Sequence, residues 1–221
     1  MMRRTKARNL AIFDLDGTIS DPAEGITRSI NHALVGLGFA AHPKKELLRY
    51  IGPHLHVTFS ELAGITDQPT LSRAIALYRE RYIPIGYREN VLYDGMADAL
   101  SRLVSNGSIL CIATSKRRDI ACKVLEFLKI EKFFAQVHGC GLHRSKADLL
   151  RDIRSDAHLG QNPMVMIGDR ETDFLAAAEV KMPSIAVRWG YGDEKEFAAA
   201  TDVVATPAEL QDAIIRNTQR G

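Results

Sequence analysis

The stretch AIFDLDGTISD, residues 11–21, decides the fold, because an apolar run ends there abruptly in two aspartates. Residues 10–13 read LAIF, a continuous apolar segment that is typical of a strand covered on both faces of a parallel sheet. Asp14 and Asp16 follow it directly. Because alternate residues of an extended segment share a face, both carboxylates can point into one site. The stretch therefore predicts a buried strand whose carboxyl end carries a functional pair of acids.

Similar apolar runs recur along the chain, and each one predicts a further buried strand. They lie at residues 108–113, 135–139, 164–168, 184–187 and 202–205. Helical patterns separate the runs, with apolar residues on one stripe at 117–128, 146–157 and 207–215. Because strands alternate with helices, the sequence predicts an α/β fold with a doubly wound parallel sheet.

The alternation fails between about residues 22 and 90, where the patterns are helical throughout. The first of these helices carries apolar residues at helical spacing, namely Ile26, Ile30, Leu34 and Leu37. Asp21 is expected as its N-cap and Pro22 as its first residue. We therefore expect a core domain formed by residues 1–20 and 91–221, with an all-helical domain, residues 21–90, inserted after the first strand.

The composition is that of an ordinary globular protein. The 221 residues carry a formal net charge of +2, with 46% hydrophobic and 25% charged residues, so nothing indicates a nucleic-acid partner. No apolar stretch approaches the roughly 20 residues of a membrane helix, and no membrane partner is expected. The basic residues near the N-terminus are interpreted as a solvated tail, because no apolar signal segment follows them. They are Arg3, Arg4, Lys6 and Arg8.

The cysteines favour a reducing compartment. Cys111, Cys122 and Cys140 are widely spaced, and they form neither a CxxC pair nor a zinc-binding pattern. We interpret all three as reduced and structural, which predicts a cytoplasmic protein.

Polar side chains follow three of the predicted strands at one edge of the sheet. Beside the aspartate pair after the first strand, this edge carries Thr114, Ser115, Lys116, Asp169 and Asp173. Open α/β sheets bind their ligands beyond the carboxyl ends of the strands, so these groups are expected in one site. Crowded carboxylates repel each other unless a divalent cation lies among them or one stays protonated. Ligands that are all oxygens suit Mg²⁺ better than zinc.

This set of residues suits phosphoryl transfer. Asp14 is placed to attack an electrophile covalently, as carboxylates do in aspartyl-phosphate chemistry. Asp16 is placed to carry protons to a leaving oxygen and from a water. Thr114 and the backbone N–H groups after it can hold phosphate oxygens, and a lysine can neutralise the charge that builds on the phosphoryl group.

Three segments also carry a family resemblance, namely FDLDGT at 13–18, ATSK at 113–116 and GDRETD at 168–173. They resemble the first, second and fourth motifs of the haloacid dehalogenase-like hydrolase superfamily, in its phosphoglycolate phosphatase-like branch with a helical cap. The resemblance spans nearly the whole chain and implies a Rossmann-like α/β core with that cap.

The resemblance implies a role for each matched residue. Asp14 is the implied nucleophile, Asp16 the general acid and base, and Thr114 a phosphate contact. The implied Mg²⁺ ligands are Asp14, Asp16 through its backbone carbonyl, Asp169, and Asp173 as a neighbour or support of Asp169.

The third motif matches less well. Relatives commonly carry Lys-Pro before a helix, whereas residues 143–150 read HRSKADLL. Lys146 is favoured as the catalytic cation because it opens the helix that leads into the fourth motif. Arg144 and Lys116 remain alternatives.

The predicted substrate contacts lie in the core and in the cap. By resemblance, the cap loop that sets specificity falls near RYIGPHLH, residues 49–56. Gly52 is expected to form a turn there, with Arg49 and His54 contacting the substrate. In the core the expected contacts are Thr18 and Ser115, while Trp189 and Tyr191 either line the pocket or pack as aromatic side chains.

The resemblance implies a Mg²⁺-dependent phosphohydrolase that cleaves a small phosphomonoester through an aspartyl-phosphate. Phosphoglycolate, a nucleotide and a sugar phosphate are all candidate substrates. Dehalogenases of the superfamily lack a carboxylate at the position of Asp16, because halide needs no proton, so this residue favours phosphate over halide. The alternatives are a phosphomutase of the β-phosphoglucomutase type and a catalytically silent binding or regulatory relative. The oligomeric state, monomer or homodimer, stays open.

Overall fold

A parallel β-sheet forms the centre of the protein in a computed structural model that describes residues 8–140 and 144–219. In those residues the strands are β1 (Leu10–Phe13), β2 (Ser20–Asp21), β3 (Val91–Leu92), β4 (Ile109–Thr114), β5 (Gln136–Gly139), β6 (Met164–Gly168), β7 (Ser184–Val187) and β8 (Asp202–Val204). Six of them pair in parallel in the order β5-β4-β1-β6-β7-β8. This order places β1 between β4 and β6, so that the carboxyl ends of three central strands are adjacent.

The strand positions confirm the predicted α/β fold class. The runs at 10–13, 164–168 and 184–187 match β1, β6 and β7 in full. The run expected at 108–113 is shifted by one residue, because Ile109 is the first residue to pair with β1 and Thr114 still pairs with Gly139. Thr114 is therefore the last residue of its strand, not the first residue after it.

Helices cover both faces of the sheet and form the insert. They are α1 (Ala23–Gly36), α2 (Lys44–Leu47), α3 (Leu55–Ala63), α4 (Gln68–Tyr82), α5 (Met96–Ser105), α6 (Arg118–Phe127), α7 (Lys146–Ser155), α8 (Glu171–Glu179), α9 (Glu194–Phe197) and α10 (Leu210–Thr218). The helix expected at 207–215 begins as a short 3₁₀ turn, Pro207–Glu209, before α10. Within the described residues, no helix combines the length and the apolar character that crossing a bilayer requires.

The beginning of α1 differs from the prediction by one residue. Pro22 occupies the N-cap position, and Asp21 lies outside the helix with Oδ1 accepting a hydrogen bond of 2.8 Å from the backbone N–H of Ala23. The reason is that Asp21 pairs with Val91 in an antiparallel ribbon of β2 and β3. The sequence analysis missed this ribbon. Its two strands pair the segment where the chain leaves the core for the helical insert with the segment where it returns.

The insert has its own hydrophobic cluster. Ile30 and Leu34 of α1 pack there with Phe59 of α3 and Ala74 of α4, and all four are fully buried. Two larger clusters lie on the two faces of the sheet. Separate clusters support a helical cap on an α/β core, while the exact division at residues 20/21 and 90/91 stays a prediction.

Parts of the N-terminal tail prediction cannot be compared with the structure. Arg3, Arg4 and Lys6 lie outside the described residues. Arg8 is exposed, and its backbone N–H donates to Oδ1 of Asn162 at 3.0 Å. Arg8 is therefore attached to the core surface.

We expect Gly25→Ala to destabilise the cap. A Cβ on Gly25 would overlap with the backbone carbonyl of Gly86, which cannot move aside as a flexible side chain does. Overpacking of this kind costs about 1–3 kcal/mol in the free energy of unfolding. The matched control is Gly36→Ala in the same helix, where the Cβ would meet only the tip of the Leu77 side chain. Urea unfolding measures both variants, and equal stabilities would contradict the expected direct contact between α1 and the 86–89 turn.

Candidate active site

The candidate site lies where β1, β4 and β6 end. Asp14 follows β1, Thr114 ends β4 and Asp169 follows β6. The backbone N–H of Asp14 still donates to the carbonyl of Ile167 at 2.8 Å, so β1 and β6 hold the first aspartate in a fixed position. The structure thus brings together the strand-end residues that the sequence placed at one edge of the sheet.

Three carboxylates form a tight, buried cluster. Oxygens of Asp14, Asp169 and Asp173 lie within 4.8 Å of one another. Asp169 is held from two sides, because its Oδ1 accepts from the Thr18 hydroxyl at 3.2 Å and its Oδ2 from the backbone N–H of Tyr191 at 2.8 Å. Three buried carboxylates at this spacing could hold a divalent cation.

Burial and mutual repulsion raise the pKa of two of these acids. For Asp169, burial is the main cause, with the charges of Asp173 and Asp14 adding to it. For Asp173, burial outweighs the attraction of Lys146 and raises the pKa from 3.8 to about 6. Both shifts mean that the charged forms lack sufficient compensation from the protein alone.

Lys146 lies among the clustered carboxylates. It is the first residue of α7, which begins with a capping box in which the Ser145 hydroxyl accepts from the backbone N–H of Asp148 at 3.2 Å. Its ammonium nitrogen is 3.1 Å from Oδ1 of Asp14 and forms an ion pair with Asp173. Burial opposes its charge, but the two carboxylates outweigh burial and raise the pKa of Lys146.

Lys116 lies against the second aspartate of the first motif. Its Nζ is 2.7 Å from Oδ2 of Asp16 and 2.8 Å from the hydroxyl oxygen of Tyr82 in α4. Arg144, the third candidate for the catalytic cation, is exposed and pairs with Asp152 at 2.6 Å. The site therefore contains two of the three candidate cations, with one lysine on each aspartate of the pair.

Two buried carboxylate oxygens lack a hydrogen-bond donor among the described residues. They are Oδ1 of Asp14 and Oδ1 of Asp16. Lys146 is the ion-pair partner of the first of them, at 3.1 Å. Because buried polar atoms nearly always have a partner, these two oxygens indicate where a ligand or a metal ion completes the site. Burial also raises the pKa of Asp16, against the attraction of Lys116.

A cavity of about 410 Å³ opens beside the aspartate pair, between the core and the cap. Its walls include Asp14, Asp16, Thr114, Ser115 and Lys116 from the core, and Gly52, His54 and His56 from the cap. Burial lowers the pKa of His54, and the charges of His56 and Lys146 lower it further. Of the predicted substrate contacts, Ser115, Gly52 and His54 are therefore placed at the cavity.

Two other predicted substrate contacts are directed elsewhere. Thr18 does not line the cavity, because its hydroxyl is bonded to Asp169 and its carbonyl accepts from Trp189 Nε1 at 2.9 Å. Arg49 does not line it either, since its guanidinium donates to the Tyr50 hydroxyl at 2.6 Å and covers the Tyr50 ring. Trp189 and Tyr191 also stay outside the cavity wall and support the aspartate cluster instead.

Sequence reasoning missed one connection between the cap and the loop that joins β6 to α8. Arg170, inside the quoted GDRETD segment, donates from Nη1 to the carbonyl of Ile51 at 2.8 Å and to that of Arg49 at 3.3 Å. Its Nε donates to Glu196 at 2.9 Å. A charged residue between two site acids was the available signal, but its two partners in the cap, Arg49 and Ile51, lie more than a hundred positions away in the chain.

Helix α4 of the cap forms a further part of the cavity wall, which sequence reasoning also missed. Ile75, Tyr78, Arg79 and Tyr82 all line it. Their spacing of three and four residues is that of one helix face, which was visible in the sequence but indistinguishable from ordinary cap packing.

A family model confirms the resemblance. The model described as haloacid dehalogenase-like hydrolase matches residues 11–187. The chain is 36% identical to a 5′-nucleotidase from Pseudomonas aeruginosa over 191 residues, which cover 85% of the chain and 86% of that protein. It is 35% identical to tyrosine-protein kinase PtkA from Mycobacterium tuberculosis over 213 residues, 93% of the chain and 72% of that protein.

Two further relatives support the same placement. A phosphoglycolate phosphatase from Agrobacterium fabrum is 30% identical over 204 residues, which cover 88% of the chain and 87% of that protein. The crystal structure of a "predicted phosphatase" from Clostridium acetobutylicum superposes with a TM-score of 0.88 at 33% identity, over 96% of the chain and all of that structure.

The raised pKa values predict that the metal-free protein loses stability as the pH rises. A carboxyl whose folded pKa exceeds its unfolded value stabilises the fold fully below the unfolded pKa, and this contribution is lost as the pH passes the folded pKa. For Asp173 that window runs from 3.8 to about 6. With EDTA present, urea unfolding should show a smaller loss across this window for Asp173→Asn than for the wild type. Identical pH profiles of the free energy of unfolding for the two proteins would contradict the raised pKa of Asp173.

Removing Arg170 should loosen the cap loop. In Arg170→Ala, the backbone amides of residues 49–56 are expected to exchange hydrogen about 10-fold faster or more, because two hydrogen bonds from a charged donor are lost. The control is Arg188→Ala, which removes an exposed arginine paired with Glu194 on the same side of the core. Exchange in Arg170→Ala at the wild-type rate would show that the contact does not hold the loop.

Proposed function

Since the chain belongs to the haloacid dehalogenase-like hydrolase family, we propose that it is a Mg²⁺-dependent phosphohydrolase that cleaves a small phosphomonoester through an aspartyl-phosphate. A phosphatase activity agrees with its relatives, which include a 5′-nucleotidase and a phosphoglycolate phosphatase. The observation that carries the proposal is the pair of cavity-facing aspartates, each in contact with its own lysine.

The carboxylate cluster fits a magnesium ion. Its donors are all oxygens, they are buried, and Oδ1 of Asp14 has no hydrogen-bond donor among the described residues. Asp14, Asp169 and Asp173 would hold the ion, together with the backbone carbonyl of Asp16. Bound there, Mg²⁺ would neutralise the charge of the phosphate and of the attacking carboxylate.

The first half of the reaction transfers the phosphoryl group to the protein. A carboxylate oxygen of Asp14 forms a bond to phosphorus while the bond from phosphorus to the leaving-group oxygen breaks. Asp16 gives its proton to that oxygen, so the alcohol leaves neutral. The raised pKa of Asp16, caused mainly by burial, favours the protonated form that this step requires.

The second half returns the protein to its starting state. Asp16, now a carboxylate, takes a proton from a water molecule whose oxygen attacks phosphorus. The bond from phosphorus to the Asp14 oxygen breaks, which releases inorganic phosphate and restores both carboxyl groups. Oδ1 of Asp16 has no other partner among the described residues, so it is free to hold the proton in both halves.

The two lysines have different proposed tasks. Lys146, 3.1 Å from Asp14, neutralises the charge that moves onto the phosphoryl oxygens in flight. Lys116, 2.7 Å from Asp16, fixes the orientation of the proton carrier. Thr114 and Ser115 at the end of β4 would hold the phosphate oxygens, since both line the cavity beside Asp14.

Phosphate release is the direct test of this proposal. With Mg²⁺, the purified protein should release inorganic phosphate from an aryl phosphate, and EDTA should abolish the release. Asp14→Asn is expected to lower kcat at least 1,000-fold, roughly the effect of removing a covalent nucleophile. Asp152→Asn is the matched control, since Asp152 lies on the surface and pairs with Arg144.

The outcomes separate the competing functions. Undiminished turnover in Asp14→Asn would contradict the aspartyl-phosphate route. Formation of an isomeric phosphate ester without net phosphate release would identify a phosphomutase instead. Binding of Mg²⁺ and substrate without any phosphorylated protein would identify a catalytically silent relative.

A further inference from the structure

Resting on the proposed function, we propose that the leaving group of the substrate carries an aromatic ring system, and that helix α4 of the cap forms the surface on which this ring packs. A nucleoside monophosphate and a larger aryl phosphate share this chemistry. Phosphoglycolate, whose leaving group is a two-carbon acid, does not.

The size of the cavity favours a large leaving group. Its volume of about 410 Å³ falls within the range of roughly 300–1,000 Å³ typical of pockets that enclose drug-sized ligands. A phosphate carrying two carbons would leave much of this volume to water. Contact between water and mainly apolar walls is unfavourable, so an apolar group fills this space better than water does.

The walls are mainly apolar and aromatic away from the aspartate pair. They include Ile26, Leu55, Ile75, Tyr78, Ile83 and Ile120. Tyr78 and Ile26 are almost fully buried, at 7% and 6% exposure, so this surface already belongs to the hydrophobic interior of the cap. Apolar walls of this kind select for an apolar or flat aromatic group.

Helix α4 fixes the direction in which this group extends. Tyr82 marks the phosphate end, because its hydroxyl oxygen accepts from Lys116, which in turn contacts Asp16. Tyr78 lies one turn away and stacks on Tyr82 with ring centroids 5.2 Å apart and planes at 14°. Ile75 lies nearly two turns from Tyr82, about 10 Å along the helix at 1.5 Å per residue. This length suits a leaving group of ring size placed beyond the phosphate.

Two of the three lysine and arginine side chains that line the cavity already have a carboxylate partner among the described residues. Lys116 is paired with Asp16, and Arg117 is paired with Asp119 through two contacts of 2.7 and 3.0 Å. Burial lowers the pKa of His54, which favours its neutral form. Arg79 is the cavity cation with no carboxylate partner among the described residues. Because a guanidinium plane also stacks on aromatic rings, Arg79 is compatible with the proposed ring.

The test compares substrates that differ in the leaving group. We expect kcat/KM for a nucleoside monophosphate and for naphthyl phosphate to exceed that for phosphoglycolate by about 10-fold to 100-fold, the range that one stacked ring contributes. A higher kcat/KM for the nucleoside monophosphate or for naphthyl phosphate identifies which kind of aromatic leaving group the site prefers. Either result supports the proposal. Equal values for all three, or a preference for phosphoglycolate, would overturn it.

A cavity-filling variant makes the test specific to α4. Ile75→Trp adds a ring inside the cavity, and should lower kcat/KM for the two aromatic esters about 10-fold while changing that for phosphoglycolate less than about 3-fold. The control is Ala76→Trp, which adds the same ring on the exposed face of the helix. Tyr78→Leu, which keeps an apolar side chain but removes the ring, provides a second variant. Equal losses for all three substrates would contradict packing on α4.

Equilibrium binding separates this inference from the proposed function. Asp14→Asn should bind a nucleoside monophosphate more tightly than phosphoglycolate by calorimetry, even though it does not hydrolyse either. If the wild type releases no phosphate but this preference holds, the reaction assignment fails and the ring site stands. If phosphate is released without any ring preference in binding or turnover, only the ring site fails.

Discussion

The repulsion among the buried carboxylates of Asp14, Asp169 and Asp173 is the constraint on which the rest of the site depends. Their oxygens lie within 4.8 Å of one another in the interior of the protein, where charges of one sign interact strongly. Lys146 compensates part of this charge by contacting two of the three acids. Under the proposed function, a divalent cation would offset the remainder together with the negative charge of the incoming phosphate. Metal binding and substrate binding would then depend on the same electrostatic imbalance.

The backbone around the cluster is arranged to let these acids approach. A Cβ on Gly17, Gly168 or Gly190 would overlap with the side chain of Asp169 or Asp173, and Gly17 also adopts a positive φ of 87°. Glycines in two loops and at the end of β6 thus leave space where the carboxylates lie. The cap contacts the loops after β4 and β6, through Tyr82 on Lys116 and through Arg170 on the carbonyl of Ile51. Cap position and the arrangement of the acids are in this way connected by direct contacts.

Much of this arrangement could be predicted from the sequence because it follows from local pattern. Continuous apolar runs located the strands, and the rule that ligands bind beyond strand ends predicted that Asp14, Thr114 and Asp169 lie together. Lys146 was favoured over Lys116 because it opens the helix that leads into the fourth motif, whereas the sequence did not reveal that each lysine contacts a different aspartate. The motif of Thr18, which was expected to contact the substrate, likewise does not reveal that its hydroxyl is bonded to Asp169. Contacts between the cap and the core depend on how two distant segments dock, which no local pattern encodes.

Chemical trapping of the phosphorylated protein tests the central claim most directly. The protein is mixed with substrate and Mg²⁺, quenched within one turnover and treated with borohydride, which reduces an acyl phosphate to an alcohol. Peptide mass spectrometry then identifies the modified residue. The account predicts reduction at Asp14 alone and none in Asp14→Asn. Turnover with an unmodified Asp14, or modification at Asp16 or Asp169 instead, would contradict it.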